Sequence, residues 1–514
     1  MQSIYICDVI DIDEKPFFYI LISAGCWFGV EFSTSRINQS VTFFESANQL
    51  VILKAIKLLK INNNIFSNTK RKVSLLMNLR SSINSRPLPG WYDDVKFGIF
   101  IHWGVYAVPA FGNGSSAEWY WYTINNPGED GGYAQAYNNK TYGFDHSYQS
   151  FAPELTARMF DPDQWADLFV KAGAKYVVLT SKHHEGYTMW PSAASWGWNS
   201  VDVGPHMDIV SMVSKSVKSR GLHMGLYHSL FEWYNPLYLA DAASGSPPTQ
   251  DIYVQNVLLP QLYDIVNSYE PEVIWADGAW DQPSSYWKST EFLSWLYSSS
   301  PVKDTVVVND RWGSECINTD GGFFTGGDRF DPGHLIPHKW ENCNTIGNSW
   351  GYNEFESAAN YQSTQTLLQT LVNTVALGGN LLLDVGPTKE GTIPVVMQDR
   401  LLDMGEWLSI NGEGIYGSTP WRVQNESTSI WYTYNTTTDA VYVYSFTWPW
   451  DGILALESPI VTSKTTVSLL GYANEISFYQ AGGEPNGLVI KLPFLTPDEY
   501  PPHKVYGFKL TNVK

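Results

Sequence analysis

Cysteine is scarce in this chain, with four in 514 residues, at positions 7, 26, 316 and 343. That excludes a small disulfide-stapled scaffold as the basis of the fold. Charge is sparse too. Only 16% of residues are Asp, Glu, Lys or Arg while 44% are hydrophobic, a balance that excludes an intrinsically disordered chain. Positive charge is especially short: 32 Lys and Arg stand against 51 Asp and Glu, for a net charge of −19. Such a surface repels a phosphate backbone, so nucleic acid is not an expected partner. No apolar run reaches the ~18–20 residues of a membrane-spanning helix, so stable membrane insertion is not expected. No Gly-x-Gly-x-x-Gly follows a strand-like segment, as a dinucleotide-binding sheet would require.

Aromatic residues, by contrast, are plentiful at 15%, with 22 Trp. Flat rings stack on the C–H faces of sugars, so the excess fits a saccharide-binding surface, although a Trp-rich core absorbs part of it. Five Asn-x-Ser/Thr sequons, at Asn38, Asn113, Asn139, Asn425 and Asn435, permit glycosylation if the chain enters the secretory pathway.

The texture of the chain divides it in three. Residues 1–84 are set apart by composition: the first 85 positions hold nine basic and six acidic residues, the reverse of the whole. Acids precede the apolar stretch from Phe17 to Val30, where a signal peptide would carry positive charge. From Val51 to Ile61, Lys54, Lys57 and Lys60 alternate with apolar residues at helical spacing, which reads as a membrane-surface helix or as part of a poorly ordered extension. Residues 85–415 alternate short apolar strands with helical segments. The strands are expected over Phe97–Trp103, Lys175–Lys182, His223–Ser229, Val273–Ala276, Lys303–Asn309 and Asn380–Val385. Helices are expected over Pro162–Ala172, Asp208–Arg220, Ile252–Ser268, Ser363–Ala376 and Met397–Ser409. This is the βα rhythm of an α/β fold, a (β/α)8-like TIM barrel, with a doubly wound sheet as the alternative. Residues 416–514 lose the helical period and alternate in strand fashion over Ser429–Tyr434, Ala440–Phe446, Thr466–Leu470 and Val505–Leu510. They predict a C-terminal antiparallel β-sandwich, joined to the barrel by a packed helix.

The polar ends of the strands carry the chemistry. In a parallel barrel the carboxyl ends of the strands converge on one pocket. Those ends here are His102 and Trp103, Glu118 and Trp119, His183 and His184, Tyr227 and His228, Asp277 with Trp275 and Trp280 beside it, and Asn309 with Arg311. Taken singly, each has a bland reading: a histidine satisfied by a carbonyl, or an Asp277-Gly278 pair capping a turn. Together they make a polar floor with stacking walls, suited to a sugar. A metal site is the competing use of the histidines. His183 and His184 are adjacent, however, so on a strand they point to opposite faces. Cys316, His334, His338 and Cys343 match no compact zinc spacing. A disulfide between Cys316 and Cys343 is the other reading of that last group.

Several longer motifs stand in order: Phe97-Gly-Ile-Phe-Ile-His-Trp-Gly104, Ala117-Glu-Trp119, Lys182-His-His-Glu-Gly-Tyr187, Trp275-Ala-Asp277, Asn309-Asp-Arg-Trp312, His338-Lys-Trp-Glu-Asn-Cys343, Ser349-Trp-Gly-Tyr352 and Leu377-Gly-Gly-Asn-Leu-Leu-Leu-Asp-Val-Gly-Pro387. With these the chain resembles, from about residue 85 to its end, the α-L-fucosidases of glycoside hydrolase family 29, of the tissue (lysosomal) type. The resemblance implies a retaining exo-glycosidase that releases terminal α-L-fucose from a fucosylated oligosaccharide or glycoprotein. It implies neither cofactor nor metal, and a lysosomal or extracellular setting. A homo-oligomer is compatible with it. Asp277 falls at the nucleophile. His102, Glu118, Trp119, His183, His184, Tyr227 and Trp275 fall on the sugar pocket, with Arg311 and Trp350 at its rim. Two carboxylates compete for the acid/base role. Asp328 is the first choice, on the glycine-rich loop Gly326-Gly-Asp-Arg-Phe330, where its plain alternative is a solvated acid paired with Arg329. Glu341 is the second. A fucose-binding, catalytically silent lectin is the reading from another functional class.

Overall fold

The computed structural model describes residues 83–113, 116–482 and 487–514, and the backbone of three strands between residues 4 and 31. The chain divides into two compact units, Met1–Val73 and Ser74–Lys514. In the first, β1 (Ile4–Val9), β2 (Phe17–Ile22) and β3 (Cys26–Glu31) form an antiparallel meander. Most of the expected extension over residues 1–84, including the lysine-spaced segment 51–61, lies outside the described residues.

The second unit opens with a parallel sheet built from β4 (Phe97–Ile101), β5 (Tyr176–Lys182), β6 (His223–Ser229), β7 (Val273–Asp277), β8 (Val307–Val308), β9 (Trp340–Thr345) and β10 (Gly379–Val385). Its strand order is β8-β7-β6-β5-β4-β10-β9, every pair parallel. Residues 322–324 join the two edges. The amides of Gly322 and Phe323 donate to the Val308 carbonyl. On the other side, Phe324 N donates to Lys339 O and Phe324 O accepts from Glu341 N. The sheet therefore closes as a ring of eight positions, the sixth of which is a single parallel bridge, Phe324 to Trp340. This is the expected barrel, with one position reduced to its minimum. The strand expected over Lys303–Asn309 is only two residues long, because the chain turns away after Val308 toward that bridge.

Period-two alternation sorts the barrel's side chains. Phe97, Ile99, Ile101, Val177, Leu179, Met224, Leu226, Ile274, Ala276, Leu381, Leu383 and Val385 face outward, into the apolar layer beneath the helices. Phe100, Tyr176, Val178, Tyr227, Val273, Trp275, Val307, Cys343 and Leu382 face inward, with Tyr92 and Val95 below them and Trp350 above. Gly98 belongs to this interior: a Cβ there would lie 2.4 Å from the Tyr176 ring, so the absent side chain is what admits the tyrosine. The outer helices start where their caps predict. Asp161 caps Pro162–Lys171, Asp208 caps Ile209–Ser219 and Ser363 caps Thr364–Ala376.

Beyond the helix Val395–Asn411 the chain forms a five-stranded antiparallel sheet, in the order β11 (Ser418–Ser427), β12 (Ile430–Asn435), β13 (Ala440–Ser445), β18 (Tyr506–Thr511), β15 (Thr466–Leu469). It faces a three-stranded sheet of β14 (Ile453–Leu456), β17 (Leu488–Lys491) and β16 (Ser477–Gln480). Tyr432, Val443, Leu454, Leu469, Ile490 and Phe508 are buried in one core shared by the two sheets, as a sandwich requires. The joint to the barrel is packed: Trp407 Nε1 donates to Val505 O and the Tyr416 hydroxyl to Gly173 O.

The proposed disulfide is absent. Cys316 and Cys343 are both buried and are not bonded to each other. Cys343 points into the barrel interior while Cys316 sits in the outer apolar layer, so the barrel wall separates them.

Candidate active site

A cavity of about 260 Å³ opens at the carboxyl ends of the strands. Its lining includes Asp277, Asp328, His102, Glu118, Trp119, His183, His184, Tyr227, Trp275, Arg311 and Trp350, so these candidates converge as the strand-end argument expects. Glu341 does not join them. It is fully buried on the inward face of β9, below Trp275. Trp275 Nε1 donates to its Oε1 at 2.9 Å, and the Tyr92 and Tyr176 hydroxyls donate to Oε2 at 2.7 and 2.6 Å. Burial pushes its carboxyl up, against the pull of those three donors.

Asp277 ends β7 on the same face as Val273 and Trp275, which brings it to the floor of the cavity. The Tyr227 hydroxyl donates to Oδ2 at 2.8 Å and Arg311 Nη1 donates to Oδ1 at 3.0 Å. Arg311, expected at the rim, is instead 8% exposed and central. Its Nη2 donates to Asp328 Oδ1 at 2.7 Å, its Nε to Thr325 Oγ1, and its guanidinium lies 4.6 Å over the Trp275 ring. The Thr325 hydroxyl donates onward to the buried Asp310. One cation thus spans two carboxylates and is braced from behind. Arg311 holds the Asp328 carboxyl below the ordinary carboxylate range, even though burial acts in the opposite sense.

Asp328 reaches the cavity through the geometry of its loop. Gly326 has φ +59°, and a Cβ there would collide with the Phe330 ring. Arg329 is not the partner of Asp328 that a solvated loop acid would have. It turns away, donating from Nη2 to Thr345 Oγ1 and Asn348 O, with its guanidinium 5.2 Å over Trp350. The loop is pinned by these contacts, and its acid is directed to Arg311.

The histidines depart from the strand expectation. β5 carries an irregularity between Thr180 and Lys182 and ends there, so His183 and His184 follow the strand and both line the cavity, their rings 4.1 Å apart. A bulge next to a site re-aims side chains in this way. Behind them, Lys182 is fully buried and donates to Glu232 Oε1 and Gln261 Oε1, each at 3.0 Å. His184 Nδ1 lies 2.6 Å from Ser229 Oγ, whose hydroxyl donates to Phe231 O. That hydroxyl must therefore accept from His184 Nδ1–H. Burial pushes the His184 imidazolium well below its ordinary range, which leaves Nε2 a bare acceptor in the cavity, 3.6 Å from Asp277 Oδ2. Glu118, on the 3-10 turn Ala117–Trp119 rather than a strand, accepts from Gly351 N through Oε2; its Oε1 is buried with no hydrogen-bond partner among the described residues.

Trp119 and Trp280 stand nearly parallel, 19° apart, beside His184. Three of the strand-end residues serve the wall instead. Asn309 pairs with both backbone groups of Ala276, Trp103 Nε1 donates to Thr388 O, and His228 Nδ1 meets Ser181 Oγ. Phe100 in the cavity wall, and Ser229 and Asp384 behind it, escaped the sequence reading. Asp384 nevertheless obeys the rule that picked out Asp277, as an acid near the end of an apolar strand. Among the described residues, no group of three or more His, Cys, Asp or Glu is arranged to hold a metal ion.

Comparison with known proteins gives this geometry its context. The family model for alpha-L-fucosidase matches residues 67–413, and that for the alpha-L-fucosidase C-terminal domain matches residues 424–511. The chain is 60% identical over 436 residues to an alpha-L-fucosidase of Dictyostelium discoideum, covering 84% of this chain and 94% of that one. It is 50% identical over 436 residues to the human tissue alpha-L-fucosidase, covering 84% and 91%. Among solved structures, the Thermotoga maritima alpha-fucosidase in complex with fucose superposes with a TM-score of 0.70 at 32% identity, over 84% of this chain and 99% of that one. The motifs, the barrel with its β-sandwich and these matches agree: the chain belongs to the α-L-fucosidase family of glycoside hydrolases.

Proposed function

We propose that this α-L-fucosidase works by retention, with Asp277 as nucleophile and Asp328 as acid/base. The observation that carries the reading is the single guanidinium of Arg311 hydrogen-bonded to both carboxylates. A shared cation suits the short separation of about 5–5.5 Å between the carboxyl groups of retaining enzymes. It also gives the two acids different surroundings. Asp277 is 8% exposed and oriented by Tyr227 as well as Arg311, whereas the Asp328 side chain is 47% exposed at the mouth, where a leaving group departs.

In the first step an Asp277 oxygen attacks the anomeric carbon, the glycosidic bond breaks, and Asp328 delivers a proton to the departing oxygen. Arg311 holds the resting Asp328 carboxyl low, so Asp328 takes that proton from solvent at the open mouth as its Arg311 contact is displaced, and the second step restores it. In the second step Asp328 takes a proton from water, and the water opens the fucosyl-enzyme. Glu118 Oε1 and His184 Nε2 accept from sugar hydroxyls, Trp119 packs on the apolar face, and His102, His183, Trp275 and Trp350 shape the remaining wall. The substrate is terminal α-L-fucose on an oligosaccharide or glycoprotein. The setting is lysosomal or extracellular, in keeping with relatives named as tissue and plasma α-L-fucosidases.

The test uses substrates graded by leaving group. Asp328→Ala should lose kcat/KM, which reports the first step alone, steeply on a glycan, where the departing alcohol needs a proton, and little on α-L-fucosyl fluoride, where it does not. Equal loss on both substrates would remove Asp328 from the acid/base role.

A further inference from the structure

His102 follows β4 with its ring 5.5 Å from Tyr227 and 5.2 Å from Trp350. Its Nδ1 lies 2.7 Å from Asp384 Oδ1, which leaves Nε2 as the ring nitrogen toward the cavity. Asp384 is 1% exposed on the inward face of β10, in register with Phe100. Its second oxygen, Oδ2, is buried and has no hydrogen-bond partner among the described residues. The charged and titratable groups around the pair include Glu118, His183, Tyr227, Asp277 and Asp328 near His102, and Tyr106, Glu118 and Arg329 near Asp384.

The proton count of such a pair decides what the cavity sees. If the pair holds one proton beyond that of neutral imidazole and ionised carboxylate, it is neutral overall. That proton can sit on Asp384, which then donates to Nδ1, or on Nδ1, which then donates to Asp384. In both arrangements Nε2 carries a hydrogen. If the proton is lost, Nδ1–H donates to an ionised Asp384, Nε2 becomes a bare acceptor, and a carboxylate with one unsatisfied oxygen stays buried in the wall. An unpaired buried charge is the costly alternative, and nearby Glu118 makes it costlier. The proton affinities agree. Burial pushes the Asp384 carboxyl well above its ordinary range and pushes the His102 imidazolium down to about 3, so the shared proton rests on the carboxyl side.

We propose that Asp384 is a positioning residue whose shared-proton pair with His102 keeps a hydrogen on Nε2, so that the cavity offers the sugar a donor at this point. With His184 presenting a bare Nε2, the two histidines then offer the sugar a donor and an acceptor at two points of one cavity. The inference rests on fucose occupying this cavity as proposed above.

The experiment measures kcat/KM against pH on α-L-fucosyl fluoride, whose leaving group takes no proton from Asp328. Asp384→Leu should raise KM and lower kcat/KM by ~100-fold, because His102 loses the group that sets its tautomer. Asp384→Asn should recover most of that loss, since its amide can still donate to Nδ1. It should also lack the alkaline fall of the parent, since an amide has no proton to lose in this range. Parent-like kcat/KM in Asp384→Leu, or an unchanged alkaline limb in Asp384→Asn, would overturn the proposal. Should Asp384→Leu fail to fold, nitrogen NMR of 15N-histidine-labelled parent decides: a protonated His102 Nε2 supports the pair as drawn, and a bare Nε2 overturns it. Trapping of a fucosyl group on Asp277 in the parent tests the proposed function separately, so a flat series at position 384 beside a labelled Asp277 would sink only this inference.

Discussion

Two buried carboxylates in one barrel make an informative contrast. Glu341 and Asp277 both face inward, and both accept from tyrosine hydroxyls. Glu341 lies in the closed interior, where three neutral donors use both of its oxygens and no cation among the described residues is paired with it. Asp277 lies one storey higher, open to a cavity and bonded to Arg311. A carboxylate acts on a substrate when it stands beside a cation, reaches a cavity and leaves room there for the substrate. Glu341 has none of these and serves as a pillar, fixing the Trp275 ring on which the Arg311 guanidinium rests.

The largest effect that should separate the two is on turnover. Asp277→Ala should cost ~10⁴-fold or more in kcat, as removal of a nucleophile does, with a melting temperature close to that of the parent and partial rescue by azide. Asp328→Ala should follow at ~10²–10⁴-fold on glycans, the range of general acid–base catalysis. Glu341→Gln, by contrast, should act on stability, costing about 1–3 kcal/mol for imperfect satisfaction of the three donors, while the folded fraction stays active.

The pH dependence sharpens the contrast. Burial raises the Glu341 carboxyl in the folded state, so the folded protein binds its proton more tightly than the unfolded chain does. Its contribution to stability is full below the unfolded carboxyl range and is lost as pH rises through the folded one. Asp328 has the opposite sign: its lowered carboxyl stabilises the fold at higher pH, and that is lost as pH falls through the folded range. In thermal melts, Glu341→Gln should flatten the decline on the alkaline side, and Asp328→Asn should flatten the decline on the acid side.

Much of this was legible in the sequence because one rule, polar residues at the carboxyl ends of apolar strands, locates a barrel's site without any three-dimensional knowledge. Asp277, Tyr227 and His102 obey it. The rule fails where the chain departs from regular strands. The irregularity before His183 turns two adjacent histidines into the same cavity, which period-two alternation forbids. The sixth barrel position, in Gly321-Gly-Phe-Phe-Thr-Gly-Gly327, is one bridge long and flanked by glycines, so it carries no strand signal. β9 reads Trp-Glu-Asn-Cys-Asn-Thr, too polar for a buried strand until Tyr92, 249 residues earlier, is seen to satisfy its glutamate. In the sandwich, β14, β16 and β17 are four residues each and too short to show a period.

The most direct measurement traps the intermediate. Incubation with 2-deoxy-2-fluoro-α-L-fucosyl fluoride, followed by proteolysis and peptide mass spectrometry, should find one covalent sugar on the peptide containing Asp277, at the aspartate itself. A stable adduct on Glu341 or Asp328, or time-dependent inactivation with Asp277 unlabelled, would contradict the division of roles between the floor of the cavity and the interior beneath it.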